Sequence, residues 1–305
     1  MLNILITGAN GFIGRNLTKV LNEHHHLNVV GLSRQMKDGY IQSPNLTQRA
    51  DWGECLQSVD VVIHLAGLAH VTAQATKSLE RFRSVNTEGT LNFANQCVKA
   101  GVRRFISLSS IGVNGVESSV PFKFDDDVNP TEPYAISKYE SEISLKDLAI
   151  KTKMEVVIIR PPLVYGHDAP GNFGKLLNLV AKNIPLPLGA IHNKRSLVGV
   201  DNLADLILTC IDHPRAANQT FLVSDDYDVS TSQLLKRMVV ESGHKSRLLP
   251  IPVSLLESIA SVFGKKTIIN RICHDLQVDI SHTKSLLSWK PPVSFDEGIR
   301  RCFKG

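Results

Sequence analysis

The apolar run Leu2-Asn3-Ile4-Leu5-Ile6-Thr7 breaks into three glycines, Gly8, Gly11 and Gly14, and then into a helical pattern through Leu17, Val20 and Leu21. An Ile- and Leu-rich run of this length reads as a strand buried on both faces. The glycine spacing after it reads as a strand–turn–helix that seats a diphosphate on a helix N-terminus. Gly8 permits the tight turn, Gly11 lets backbone approach phosphate, and Gly14 lets helix and strand pack closely. Glycine triplets also occur in ordinary loops, but this one follows a strand and opens a helix. We therefore read Gly8, Asn10, Gly11, Phe12, Ile13 and Gly14 as a dinucleotide-binding turn.

The rest of the first half repeats the same alternation. Asn28 to Ser33 reads as a second strand ending at Ser33-Arg34, and a helix is expected over Cys55–Ser58 after Asp51-Trp52. Asp60 to Gly67 is a strongly apolar strand ending in Leu65, Ala66 and Gly67. Ser78–Ala100 is expected to be one long amphipathic helix, in which Asn86 is either a helix–loop tether or an exposed amide. Arg104–Ser110 is a strand running into two serines, and 114–129 reads as an irregular surface loop. A helix opens near Pro130–Lys138 and runs to Thr152, and Met154–Arg160 is a further strand stopped by Pro161-Pro162. This alternation is the signature of an α/β fold with a doubly wound, Rossmann-type parallel sheet.

Beyond Tyr165-Gly166 prolines punctuate shorter elements. Helices are expected over Phe173–Lys182, Leu203–Ile211, Ser230–Ser242 and Leu255–Gly264, with a strand over Thr220–Ser224. The expected division is a dinucleotide-binding domain over 1–165 and a smaller mixed α/β substrate lobe over 166–305, interleaved with the first.

At 305 residues, 43% hydrophobic and 21% charged, the chain is long enough for a large core. The net charge of +5 is modest and its Lys and Arg are scattered, which argues against a nucleic-acid surface. No apolar stretch reaches membrane-spanning length, and the chain runs directly into its first strand, so a cytoplasmic protein is expected. Five separated cysteines without a CxxC pair, and three adjacent histidines at 24–26, read as incidental rather than metal-binding.

Ser110 at a strand end, with Tyr134 and Lys138 one helical turn apart, forms a proton-handling set. Tyrosine ordinarily titrates near 10, and a neighbouring ammonium favours its phenolate. Ser110 would hold the substrate oxygen while Tyr134 exchanges its proton. At the second strand's tip, Ser33 is small and neutral and Arg34 is a forked cation suited to a 2′-phosphate. This favours NADP over NAD.

The glycine turn, the Ser-Ser strand end and the YxxxK spacing together resemble the extended short-chain dehydrogenase/reductases of the NAD-dependent epimerase/dehydratase family, over nearly the whole chain. The resemblance implies that Asp51 and Trp52 contact adenine, and that Leu65, Ala66, Gly67, Asn86 and Pro161 flank the cofactor. Lys138 would touch the nicotinamide ribose, and Asn172 and Arg195 would hold the diphosphate of a UDP-sugar. It also implies a homodimer built on the helices around Asn86 and Tyr134. Ser110 is followed by Ile111 and Gly112 rather than an acid pair, which argues against 4,6-dehydration. The stretches 109–115 and 195–198 resemble bacterial reductases of UDP-4-keto-6-deoxy-N-acetylhexosamines in surface polysaccharide synthesis. The expected reaction is thus 4-keto reduction, with UDP-hexose or UDP-N-acetylhexosamine 4-epimerisation as the alternative. A non-catalytic NADP-sensing module is opposed by the presence of Tyr134, Lys138, Asn172 and Arg195.

Overall fold

Ile4 and Ile6 point into one apolar core and Leu5 into another, because alternate residues of the first strand face opposite sides of a sheet covered on both. The computed structural model describes residues 1–69, 78–262, 264 and 266–304. The chain opens with β1 (Leu2–Thr7), α1 (Phe12–Asn22), β2 (Leu27–Ser33), the short β3 (Ile41–Gln42) and β4 (Val61–His64). There follow α2 (Leu79–Phe82), α3 (Thr90–Lys99), β5 (Arg104–Leu108), α4 (Pro133–Lys151) and β6 (Glu155–Arg160). The second half comprises β7 (Leu163–Tyr165), α5 (Gly171–Ala181), β8 (Arg195–Gly199), α6 (Val200–Asp212), β9 (Thr220–Leu222) and β10 (Asp228–Val229). It closes with α7 (Thr231–Ser242), α8 (Val253–Val262), α9 (Lys266–Cys273), α10 (Ser281–Leu287) and α11 (Phe295–Arg301).

Seven strands form one sheet in the order β3-β2-β1-β4-β5-β6-β9, with every pairing parallel. The order reverses between β1 and β4, so the glycine turn after β1 lies at the switch point where such sheets bind ligands. Ile63, Ile159, Leu17 and Leu203 fill the core shared with α1 and α6, while Val62, Phe93, Phe105 and Leu145 fill the core beneath α3 and α4. A second sheet, β10-β8-β7, is mixed. A third apolar cluster around Phe173, Leu197, Leu235 and Ile299 supports it.

Several elements differ from expectation. The helix expected over Ser78–Ala100 is divided by a π-helical stretch, Arg83–Gly89, which carries Asn86. π-helical stretches are rare and occur frequently at functional sites. The expected helix near Cys55 is one 3₁₀ turn, Gly53–Leu56, followed closely by Ser58 at a positive φ of 58°. The 114–129 segment is not a free surface loop. Asn114 is buried, and Phe122 joins Val278 in a parallel bridge with backbone bonds to Gln277 and Asp279. The helix expected over Leu255–Gly264 spans Val253–Val262, and Phe263 lies outside the described residues. Ser230 caps α7 in a reciprocal capping box with Gln233.

Candidate active site

The carboxyl ends of the parallel strands gather most of the residues singled out in the sequence. Gly8 has a φ of +69°, and a Cβ there would lie 2.9 Å from Ala66 N. A Cβ on Gly14 would lie 2.4 Å from Gly8 O and 2.6 Å from Ala9 Cα. Strand and helix therefore approach more closely than any side chain allows. Gly11 is the N-cap of α1 and supplies no capping side chain, which leaves the helix's first N–H groups for an anion. Asn10, Phe12 and Ile13 are half-buried around this turn, and the Phe12 ring approaches Gly166. The glycines leave a cradle of the kind a pyrophosphate needs, so the residues present fit a dinucleotide.

At the adenosine end, Ser33 is buried with its Oγ unpartnered, whereas Arg34 is exposed. Asp51 is exposed and accepts the Gly53 N–H at 3.0 Å. Trp52, expected to contact adenine, is buried. Its indole lies in the core against Phe93, with ring centroids 4.4 Å apart, and Gln96 Oε1 accepts its backbone N–H at 2.8 Å. Its indole Nε1 is buried without a hydrogen-bond partner among the described residues.

Deeper in, Thr7 Oγ1 lies 2.8 Å from His64 Nδ1 and accepts the Ala66 N–H at 3.2 Å, and Leu65 N–H donates to Thr7 O. Burial, helped by the Lys138 charge, pushes His64 down to about 3, so the imidazole is neutral. Gly67 is the point of convergence. A Cβ there would lie 3.1 Å from Asn86 Oδ1 and 3.6 Å from Lys138 Nζ. Asn86 is fully buried and tethers chain to helix. Its Oδ1 accepts from Leu68 N at 2.7 Å, and its Nδ2 donates to Leu68 O and Ser137 Oγ at 3.0 Å each. Asn86→Ala strands these buried partners and is expected to cost about 1–3 kcal/mol, measurable by denaturant unfolding.

Ser110 begins a 3₁₀ turn, and its Oγ accepts the Gly112 N–H at 3.1 Å. A Cβ on Gly112 would lie 3.4 Å from both Ser110 Oγ and Ala135 Cβ, so the serine abuts the start of α4. Pro133 begins α4, placing Tyr134 in its first turn, with the Phe82 ring edge-on at 6.0 Å. Lys138 Nζ donates to Leu108 O at 2.8 Å. Burial pushes Tyr134 up to about 12. Desolvation brings Lys138 down to about 8 against the opposing pull of Glu142. Pro161 O accepts the Ile111 N–H at 2.9 Å, fixing the turn that carries Ser110 to the end of β6.

Of the expected sugar-side residues, Asn172 is exposed in the first turn of α5. Arg195 is half-buried in β8, where its Nη1 donates to His274 O at 3.0 Å. No hydrogen bond joins them. Desolvation lowers the Arg195 guanidinium, Asp275 opposes this, and the Arg271 charge adds to it. Arg271 pairs with Glu132, two residues before Tyr134, so α9 reaches the N-terminus of α4. Sequence reasoning missed Arg271, because a lone arginine in a helical stretch carries no local signal. It also missed Glu142, although its i, i+4, i+8 spacing with Lys138 and Tyr134 was visible.

Residues 4–224 match the NAD dependent epimerase/dehydratase family. The chain belongs to that family. This enzyme family's signature falls on the sheet and site just described. Over 307 aligned residues the chain is 44% identical to a UDP-glucose 4-epimerase of Vibrio cholerae, covering 98% of this chain and 94% of the relative. A UDP-N-acetylglucosamine 4-epimerase from Bacillus cereus superposes with a TM-score of 0.83 at 18% identity over all of both chains. A UDP-glucose 4-epimerase from Thermotoga maritima, solved with UDP-glucose, gives 0.79 at 21% identity, covering 99% and 98%. At these identities the two structural likenesses establish the Rossmann-type fold. No described helix is long and apolar enough to cross a membrane.

Proposed function

We propose that this chain interconverts the C4 epimers of a UDP-hexose or UDP-N-acetylhexosamine, with a nicotinamide dinucleotide retained through turnover. The carrying observation is the convergence of Gly67, Asn86 and Lys138 beside the glycine turn, with Ser110 against the start of the Tyr134 helix. The 44% identity to a relative named as a UDP-glucose 4-epimerase supports this reaction over the 4-keto reduction expected from the strand tip.

The dinucleotide would be held by Gly8, Asn10, Gly11, Phe12, Ile13 and Gly14 at its diphosphate, and by Ala66, Gly67, Asn86 and Pro161 further in. Asp51 and Arg34 would meet its adenosine end. When bound, it supplies the hydride acceptor and donor for sugar C4. Ser110 holds the C4 oxygen, Tyr134 takes its proton and returns it, and Lys138 provides the cation that favours the Tyr134 phenolate. Arg195 and Arg271 bring two cations close together, and an anionic diphosphate relieves their repulsion. Asn172 would add a polar contact to it.

The experiment is to denature purified protein, identify the released cofactor and follow UDP-sugar interconversion with no cofactor added. Retained dinucleotide with interconversion supports the epimerase; strict dependence on added NADPH refutes it. One observation favours reduction as a second reading. The exposed Arg34 fork beside a neutral Ser33 suits the 2′-phosphate of NADPH, which a reductase consumes. Arg34→Asp is expected to shift preference from NADP to NAD by roughly tenfold or more, read as the ratio of dissociation constants.

A further inference from the structure

Beneath the catalytic set lies a closed polar network that the proton-transfer chemistry does not use. Glu142 and Arg160 are 1% and 2% exposed and form a forked ion pair, with Nη2 to Oε2 at 2.5 Å and Nε to Oε1 at 3.0 Å. The same Oε1 accepts the Ser109 hydroxyl at 2.5 Å. Arg160 Nη1 donates to Asn114 Oδ1 at 3.0 Å, and Asn114 Nδ2 donates to Lys123 O. Four segments thus meet at one ion pair: the tip of β5, the turn after Ser110, α4, and the end of β6.

The placement is specific. Ser109 directly precedes Ser110, and Lys138 and Glu142 are successive turns of α4 facing the same strand end. Lys138 holds the Leu108 carbonyl and Glu142 holds the Ser109 hydroxyl. Buried ion pairs contribute little net stability against their desolvation, so stability alone gives no reason for this one. We propose that the Glu142–Arg160 pair is the positioning device of the catalytic set. It locks the serine-bearing strand tip to the Tyr134 helix and keeps a fixed negative charge one turn from Lys138.

The groups that act on Lys138 are Glu142 on its own helix and neutral His64 from β4, with Tyr134 one helical turn before it. Those facing Glu142 are Lys138 and Lys146 on α4 and Arg160 from β6. In this set Glu142 is the anion that resists the desolvation of Lys138. Removing its charge therefore makes Lys138 lose its proton at lower pH, and the phenolate of Tyr134 loses its partner sooner.

This inference rests on the proposed proton-transfer role of Tyr134 and Lys138, but its first readout needs no sugar. The Lys138 titration is followed by NMR of ¹³C-labelled lysine side chains, assigned with Lys138→Arg. Glu142→Gln leaves Arg160 charged and unpaired and risks unfolding, so the double variant Glu142→Gln/Arg160→Gln accompanies it. The midpoint is expected to fall in folded Glu142→Gln, and to fall by less in the double variant, where loss of the Arg160 cation partly offsets loss of the carboxylate. The alkaline limb of kcat should move with it, with KM for the sugar unchanged. A midpoint unmoved in the folded double variant overturns the proposal and leaves a packing role alone. A moved midpoint in a protein whose wild type interconverts no UDP-sugar would refute the epimerase and leave the positioning device standing.

Discussion

Tyr134→Phe is expected to lower turnover roughly 100- to 10,000-fold, the range associated with one positioned acid–base group, while leaving cofactor binding intact. Only the phenolic oxygen is removed, and the ring's edge-on packing with Phe82 is retained. The sign of the pH dependence follows from the site. Burial pushes Tyr134 up to about 12, because the apolar surroundings penalise the phenolate. Lys138, brought down to about 8, carries its charge below that pH and loses it above. Lys138 therefore titrates well before Tyr134, and the pH dependence of wild-type activity should be set by Lys138. Activity should fall on the alkaline side as Lys138 deprotonates. In Tyr134→Phe the residual rate should lose this alkaline limb, because no phenol remains for Lys138 to assist. Full turnover in this variant, measured by sugar interconversion, would remove Tyr134 from the chemistry.

Gly14→Ala is the second large effect. Its methyl group would meet Gly8 O at 2.4 Å and the Ala9 backbone at 2.6 Å. Backbone cannot yield as a flexible side chain does, so α1 must shift away from β1, at a cost of about 1–3 kcal/mol. The same shift moves the helix N-terminus that would hold the diphosphate, so cofactor affinity should fall with stability. Gly11→Ala gives the contrast, because its methyl meets only Gly8 O, at 3.2 Å. It should spare the unfolding midpoint and weaken cofactor binding. Thermal unfolding with and without added dinucleotide separates the two. Equal midpoints for Gly14→Ala and wild type would contradict the close strand–helix packing.

The parts of this protein legible in its sequence are those written in local periodicity and spacing. The apolar run of β1, the glycine turn, and the YxxxK spacing of Tyr134 and Lys138 each lie within one or two turns of chain. Residues whose roles depend on distant partners were harder. Trp52 reads as a site residue beside Asp51, yet Phe93 and Gln96, more than forty positions away, draw it inward. Asn86 leaves tether and exposed amide undecided until Leu68 and Ser137 supply its hydrogen bonds. Arg271 gains meaning only because α9 folds back to Glu132. Phe122 pairs with Val278 across the chain, and nothing in the 114–129 composition announces it.

Under the proposed function, one site removes and returns the hydrogen at C4 of a UDP-sugar without net consumption of cofactor. This is tested most directly by supplying UDP-glucose and UDP-N-acetylglucosamine deuterated at C4 to the purified protein with no cofactor added. At least one of them is expected to convert to its C4 epimer, with the deuterium still at C4 and no reduced cofactor accumulating. No interconversion of either sugar, together with stoichiometric NADPH consumption when a 4-keto-6-deoxy UDP-sugar is supplied, would contradict the proposed function.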